Sequence, residues 1–111
     1  MNARPIGPIE AHLRAMRAVL SGPEKWTQRK AARDAYGRPC PISAPEAACW
    51  CLFGASWRVV DEGRPVGWYE PLVTVVGTEH FSNWNDRKGR TFAEVADALD
   101  RAIELAHEQG R

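Results

Sequence analysis

Residues 91–110, TFAEVADALDRAIELAHEQG, are the most regular stretch of the sequence and predict an amphipathic helix. Thr91 and Glu94 have the spacing of a capping box, in which each side chain accepts a hydrogen bond from the other residue's backbone N–H. Asp97 and Arg101 are placed to pair across one turn of the outer face. The inner face carries apolar residues at helical spacing, namely Phe92, Val95, Ala96, Leu99, Ala102, Ile103 and Ala106. Such a helix needs a core to pack against, and the rest of the chain must supply it.

The segment before this helix, residues 80–89, is polar and rich in asparagine, so we expect a loop. Its candidate binding residues are Trp84, Asn85 and Asp86, together with Arg90, because a loop tryptophan either closes the core or anchors a partner. We favour the structural interpretation, in which Trp84 closes the core and Asn85 and Asp86 form an Asx turn. Asp86 then accepts backbone N–H groups or pairs with Arg90.

Residues 57–77 permit two structures. The sequence DEGRP at 61–65 predicts a turn. The run LVTVV at 72–76 is rich in β-branched residues, which favours a strand or a short hairpin within 57–77. The same run also fits a short buried helix that starts at Pro71, and periodicity cannot separate the two at this length. Gly77 ends the element in either case.

Residues 47–57, AACWCLFGASW, contain no charged residue and predict a helix that is buried on every side. Ser43 and Glu46 have capping-box spacing just before it. Gly54 weakens a helix by roughly 1 kcal/mol relative to alanine, so we expect a neighbouring segment to approach it closely. The predicted fold is a single mainly α-helical domain, in which three to four helices include this central one and wrap around it.

Five tryptophans are the least ordinary feature of the composition: Trp26, Trp50, Trp57, Trp68 and Trp84. A domain of this size needs large apolar side chains to fill its core. Trp50 and Trp57 are seven residues apart and share one face of the predicted helix, so we expect both of them in the core.

At the N-terminal end, a second amphipathic pattern predicts a helix that begins near Pro8. Its apolar positions are Ile9, Leu13, Met16 and Leu20. Gly22 and Pro23 end it, because glycine accepts a left-handed conformation and proline cannot continue a helix. Residues 24–35 then contain good helix formers, with Thr27 as an N-cap, and predict a short second helix.

The predicted second helix carries a candidate basic patch made of Lys25, Arg29, Lys30 and Arg33. Such a patch can follow a phosphate backbone, and Trp26 and Tyr36 can stack on bases. However, the isoelectric point near 7.8 is well below the value of about 9 that is typical of nucleic-acid-binding domains. We therefore favour a solvated helix face, with Lys30 paired to Asp34, and expect no nucleic-acid partner.

Cys40, Cys49 and Cys51 are an odd number of cysteines, which argues for free thiols rather than a disulfide framework. A thiol-dependent hydrolase would use Cys49 or Cys51 as nucleophile, His80 as base and Asp86 to orient the base. The predicted central helix opposes this hypothesis, because both thiols lie beyond its first turn among apolar neighbours and should be buried. It also opposes a zinc site, because side chains two residues apart on a helix point in nearly opposite directions. We expect no metal ion and no cofactor.

The chain has 111 residues and a formal net charge of +1, which suits one domain over residues 1–111 with an ordered core at about 8–108. No apolar run approaches the roughly 20 residues that span a bilayer. The N-terminus lacks the features of a secretory signal. We therefore expect a cytoplasmic protein that makes no membrane contact.

Six motifs occur along the chain in this order: WTQ at 26–28, ARD at 32–34, GRP at 37–39, ACWC at 48–51 followed by GA, WND at 84–86, and RT at 90–91 before the final helix. In this order the chain resembles a family of small uncharacterised bacterial and phage proteins, over about residues 8–106. The function of that family is unknown, so the resemblance implies a mainly helical architecture and says nothing about activity. It also favours a helix over a strand for residues 66–76.

These observations favour a small non-enzymatic accessory or protein-interaction domain, of a kind associated with mobile elements. One alternative is a thiol-dependent hydrolase with a Cys–His pair. A second alternative is a weak nucleic-acid binder that uses residues 25–38. The sequence does not identify the protein partner or the oligomeric state.

Overall fold

The computed structural model describes residues 5–59 and 63–111, and within them the chain forms five helices and a two-stranded sheet. The elements are, in order, α1 (Pro8–Val19), β1 (Ala32–Asp34), β2 (Ala47–Trp50), α2 (Leu52–Arg58), α3 (Glu70–Val76), α4 (Phe81–Asp86) and α5 (Phe92–Glu108). The mainly helical class is confirmed at 50% helix, but the described residues contain five helices rather than three or four. Their strands are β1 and β2, and none lies in the described part of residues 57–77. None of the described helices has the length and apolar composition that a membrane span requires.

The two longest helices, α1 and α5, pack on each other, and α3 packs on α5. Their fully buried residues include Leu13, Met16, Leu72, Val95 and Leu99. The apolar face predicted for α5 is confirmed, with Phe92 half-buried at its start. The capping box is also confirmed, since Thr91 Oγ1 accepts a hydrogen bond from Glu94 N at 3.2 Å and Glu94 Oε1 accepts one from Thr91 N at 2.9 Å.

A buried carboxylate joins α1 to the end of α5. Glu10 Oε2 accepts a hydrogen bond from Arg14 Nε at 2.7 Å, and Glu10 Oε1 lies 2.8 Å from His107 Nδ1. Burial alone would raise the pKa of the Glu10 carboxyl, but the hydrogen bonds and charges of Arg14 and His107 outweigh it and lower that pKa. The carboxylate is therefore ionised at neutral pH and fully partnered at the interface between the two helices.

The predicted central helix over residues 47–57 is wrong. Its first four residues form β2, which pairs antiparallel to β1. α2 follows at once with Cys51 as its N-cap, and the Cys51 Sγ atom accepts a hydrogen bond from Gly54 N at 3.2 Å. Ser43 and Glu46 are exposed and lie ahead of a strand, so they cap no helix. An uncharged run shows no periodicity, so it fits a buried strand followed by a short helix as well as one long helix.

Two expectations about single residues in this stretch have different outcomes. Trp50 is buried as predicted, but Trp57 lies on the outer side of the short α2 and is 43% exposed. Gly54 does meet a neighbouring segment, because a Cβ atom at this position would collide with the main-chain oxygen of Ala31.

The structure describes residues 24–35 in full, and they contain no α-helix. A 3-10 turn at Pro23–Lys25 is followed by irregular chain and then by β1. Asp34 accepts a hydrogen bond from Arg38 N and pairs with the Arg38 guanidinium at 2.9 Å, not with Lys30. Pairing of β1 with β2 and the turn after β1 satisfy the backbone here, so tertiary contacts override the helix propensity of the segment.

Residues 70–76 form α3, so the helix that the resemblance favours is confirmed over the strand. Pro71 lies in its first turn, and Gly77 ends it in a left-handed conformation with φ of 81°. Of the turn predicted at 61–65, residues 61 and 62 lie outside the described residues.

The loop expected over residues 80–89 is wrong in its first part, because Phe81–Asp86 forms α4. Phe81 and Asn85 are buried on one side of α4. Two buried positions in so short a helix cannot show a period in the sequence.

Candidate functional site

The side chain of Asn85 ties together three segments of the chain. Its Oδ1 atom accepts hydrogen bonds from Trp26 Nε1 at 2.7 Å and from Leu52 N at 3.0 Å. Its Nδ2 atom donates to the Thr27 carbonyl oxygen at 3.1 Å and to Asp86 Oδ1 at 3.0 Å. Asn85 is fully buried, so this candidate binding residue presents no surface to a partner.

The other loop candidates lie around this centre. Asp86 Oδ1 accepts a hydrogen bond from Arg29 N at 2.7 Å, which is one of the two contacts expected for it. Arg90 pairs with Glu94 instead of Asp86, at 3.1 Å, and donates from Nε to the Trp84 carbonyl oxygen at 2.9 Å. Its guanidinium carbon lies 4.0 Å from the Trp84 ring centroid. Trp84 is half-buried at the edge of the core, and Arg90 covers one face of its ring.

The two cysteines of the hydrolase hypothesis occupy different environments. Cys51 is buried as predicted, and burial raises the pKa of its thiol, which hydrogen bonds from the Gly54 and Phe53 N–H groups offset only in part. Cys49 is half-buried rather than buried, and its thiol donates a long hydrogen bond to the Arg33 carbonyl oxygen at 3.8 Å. A raised pKa keeps the Cys51 thiol protonated at pH 7, and a protonated thiol is a poor nucleophile.

The proposed base is not placed to activate either thiol. His80 is exposed at the start of α4, and in the described residues no hydrogen bond joins it to Cys49 or Cys51. Across residues 5–59 and 63–111, no three His, Cys, Asp or Glu side chains come close enough to hold a metal ion. The expectation of no metal ion and no cofactor stays a prediction.

Two basic segments that are distant in sequence lie side by side. Gln28 Nε2 donates hydrogen bonds to the carbonyl oxygens of Asn85 at 2.9 Å and Arg87 at 3.2 Å, next to the contact between Arg29 N and Asp86. These contacts bring three residues of the predicted basic patch beside two basic residues that sequence analysis did not identify as candidates. We call this set the basic strip: Lys25, Arg29, Lys30, Arg87 and Lys88.

The basic strip differs from the predicted patch in two respects. Arg33 is not part of it, because its guanidinium donates to Thr27 Oγ1 and to the carbonyl oxygens of Gln28 and Gly37. Trp26 is half-buried with its indole N–H bonded inside the protein, so its ring is not free to stack on a base. In the part of the chain that the structure describes, no carboxylate pairs with any residue of the strip.

A cavity of about 550 Å³ opens where α2, the chain before α3 and the start of α4 meet. The residues from α2 and from the chain before α3 are Phe53, Arg64, Trp68 and Tyr69, of which all but Arg64 are aromatic. The other lining residues are 79–83, which are polar except for Phe81. The volume lies within the range of about 300–1,000 Å³ that is typical of ligand sites.

The Arg64 guanidinium lies against three aromatic rings, of which Phe53 and Trp68 line the cavity and Trp57 does not. Its guanidinium carbon lies 3.7 Å from the ring centroid of Trp57, 5.2 Å from that of Trp68 and 5.9 Å from that of Phe53. Its Nη1 atom donates one hydrogen bond, to Ser56 Oγ at 3.3 Å, and no carboxylate among the described residues pairs with it. Burial lowers the pKa of Arg64, yet a guanidinium stays charged at neutral pH.

Phe53 and Trp57, whose rings lie beside Arg64, are exposed to solvent by 39% and 43%. Tyr69, which lines the same cavity as Arg64, is exposed by 43%. We call these three rings together with Arg64 the aromatic surface. Sequence reasoning missed it because it placed Trp57 in the core of a long helix. The spacing of Phe53 and Trp57, one helical turn apart, reveals a shared face only once the helix is known to begin after Cys51.

The model of a family of unknown function, DUF6197, matches residues 5–105 of the chain. No curated protein and no solved structure matches the chain. The resemblance to a family of unknown function is thus confirmed over nearly the whole chain, and it brings no activity, ligand or partner to the site.

Proposed function

Because the chain belongs to the DUF6197 family, whose function is unknown, we propose its function from its own surface: it is a small non-enzymatic domain that binds another protein through the aromatic surface. The observation that carries this proposal is the exposure of Phe53 and Trp57 beside Arg64, together with that of Tyr69 in the same cavity. Tryptophan, tyrosine and arginine are the residue types that dominate binding energy at protein interfaces. A partner that covers these rings removes apolar surface from water, which favours association. A cytoplasmic location and an association with mobile elements remain expectations.

The thiol-dependent hydrolase is the weaker candidate. A nucleophile and its base must lie within hydrogen-bond reach of each other. The Cys51 thiol is buried and protonated, and no hydrogen bond joins His80 to it in the described residues.

Trp57→Ala is expected to remove partner binding and leave the fold intact, because the ring is 43% exposed while the buried side of α2 is unchanged. Immobilised wild type and variant are incubated with soluble extract of the native host, and captured proteins are quantified by mass spectrometry. We expect the variant to capture at least about tenfold less of the protein that the wild type captures specifically, which is the usual effect of truncating an interface hot spot. Thermal melts of both proteins confirm that the variant is folded.

Tyr36→Ala is the matched control. Tyr36 is 84% exposed and also lies beside an arginine, Arg38, whose guanidinium carbon is 5.1 Å from its ring centroid. This variant should capture the partner as the wild type does. Equal capture by Trp57→Ala and wild type, or loss of the partner in Tyr36→Ala alone, contradicts the proposal.

A second candidate function is the binding of a polyanion such as single-stranded DNA along the basic strip. It is favoured by the contacts of Gln28 and Arg29 that bring the cations of residues 25–30 beside those of residues 87–88. The side chains of the strip form no ion pair among the described residues, and such cations attract a phosphate backbone and release its counterions.

Lys88→Glu should weaken the binding of a fluorescein-labelled oligothymidylate, measured by anisotropy at low salt, by about tenfold. The matched control is Arg101→Glu, which makes the same change in net charge on the outer face of α5, where Arg101 is 65% exposed. Binding that is equally weakened by both variants reflects net charge alone and contradicts a role for the strip. A wild-type protein that does not bind the oligonucleotide at low salt also contradicts a role for the strip.

A further inference from the structure

We infer that Arg64 anchors a carboxylate of the partner, so that the aromatic surface receives an acidic peptide segment whose carboxylate enters the cavity beside an apolar side chain. This inference rests on the proposed function and deepens it, because it names the chemistry of the partner.

In the described residues, five arginines have a guanidinium that lies over an aromatic ring: Arg17, Arg38, Arg58, Arg64 and Arg90. Four of them have strong acceptors. Arg17, Arg38 and Arg90 each pair with a carboxylate, and Arg58 donates to the carbonyl oxygens of Ile42 and Ala44.

Arg64 differs from these four. Its single acceptor in the described residues is the neutral hydroxyl of Ser56, at the long distance of 3.3 Å. The planar guanidinium has five N–H donors in a fork that matches the two oxygens of a carboxylate. A charge that is partly removed from water without a counterion is unfavourable, and an incoming carboxylate relieves that cost.

The residues that line the cavity also favour a carboxylate with an apolar group attached. The aromatic lining residues Phe53, Trp68 and Tyr69 suit the apolar group. Among the polar lining residues, His80, Ser82 and Asn83 offer hydrogen-bond donors, whereas the Glu79 carboxylate repels a second negative charge. A singly charged carboxylate therefore fits this cavity better than a doubly charged phosphate.

The experiment is a titration of the full ¹⁵N-labelled chain with phenylacetate and with phenylacetamide, which share a ring and differ in charge. Saturable shifts are expected at the Arg64 side-chain Nε–H and at the indole N–H groups of Trp57 and Trp68. Phenylacetate should bind at least about tenfold more tightly than phenylacetamide, the effect of one charge-assisted hydrogen bond. Equal affinity of the two probes, or shifts confined to other surfaces, overturns the inference.

Two variants test the role of Arg64 itself. Arg64→Gln should abolish the preference for phenylacetate, and Arg38→Gln, which removes a stacked arginine that already has a carboxylate, should retain it. The double variant Asp61→Asn/Glu62→Gln removes the carboxylates nearest to Arg64 in sequence. If phenylacetate binds only to this double variant, the chain supplies its own counterion and the inference is overturned.

The two proposals fail in distinguishable ways. If Trp57→Ala loses the partner but the wild type does not prefer phenylacetate, the aromatic surface binds a protein without a carboxylate anchor. If phenylacetate binds as expected but Trp57→Ala keeps its partner, the cavity is an acid-binding site and the proposed protein interface is wrong.

Discussion

Asn85→Ala is expected to lower the free energy of unfolding by about 3–5 kcal/mol, because it leaves two buried donors without an acceptor. The donors are the Leu52 backbone N–H, at the start of α2, and the Trp26 indole N–H, both of which bond to Asn85 Oδ1. Small domains have total stabilities of roughly 5–15 kcal/mol, so the variant should be largely unfolded on warming. Urea denaturation followed by tryptophan fluorescence measures the change.

Two further variants make this prediction specific. Asn83→Ala alters an exposed asparagine on the same helix and should change stability by less than about 0.5 kcal/mol. Asn85→Asp keeps an acceptor for both donors but sets a buried carboxylate oxygen against the Thr27 carbonyl oxygen and Asp86 Oδ1, so it should destabilise the protein as strongly as Asn85→Ala. If Asn85→Ala is as stable as Asn83→Ala, the hydrogen bonds of Asn85 do not hold the three segments together.

Gly54→Ala is expected to destabilise the protein by about 3 kcal/mol, although replacing a helical glycine by alanine normally stabilises by up to about 1 kcal/mol. The cause is the main-chain oxygen of Ala31, with which the new Cβ atom would collide. That oxygen is held in place by a hydrogen bond from Cys51 N at 3.1 Å, so it cannot turn away as a side chain would.

Gly22→Ala is the control for this prediction. A Cβ atom at Gly22 meets only the flexible carboxylate end of Glu24, which can rotate aside. The two variants are compared by thermal melts and by urea denaturation. A Gly54→Ala protein as stable as the wild type, or more so, would show that α2 does not pack on the Ala31 backbone in this way.

The features that the sequence determined by itself are those whose cause is local. The apolar faces of α1 and α5 repeat over three to five turns, so their period is visible without any partner, and the predicted helices are present. The capping box of Thr91 and Glu94 links residues three apart, and the end of α3 at Gly77 follows from the left-handed conformation that glycine accepts. The end predicted at Gly22 is different, because α1 already stops at Val19 and Gly22 is extended with φ of −161°.

Tertiary structure alone decided β1, β2, α2 and α4, which are three to seven residues long. β1 and β2 satisfy each other's backbone across a gap of more than ten residues, and α2 and α4 are too short to show a period. The contacts of Asn85 with Trp26 and Leu52 span 59 and 33 residues, so the sequence around Asn85 does not predict them.

The candidate site was decided in the same way. Arg64 lies apart in sequence from both Phe53 and residues 79–83, and only the packing of α2, α3 and α4 brings these residues to one cavity. A sequence pattern reports interactions within a few residues along the chain, whereas this site depends on which short elements meet in space, and long-range packing determines that.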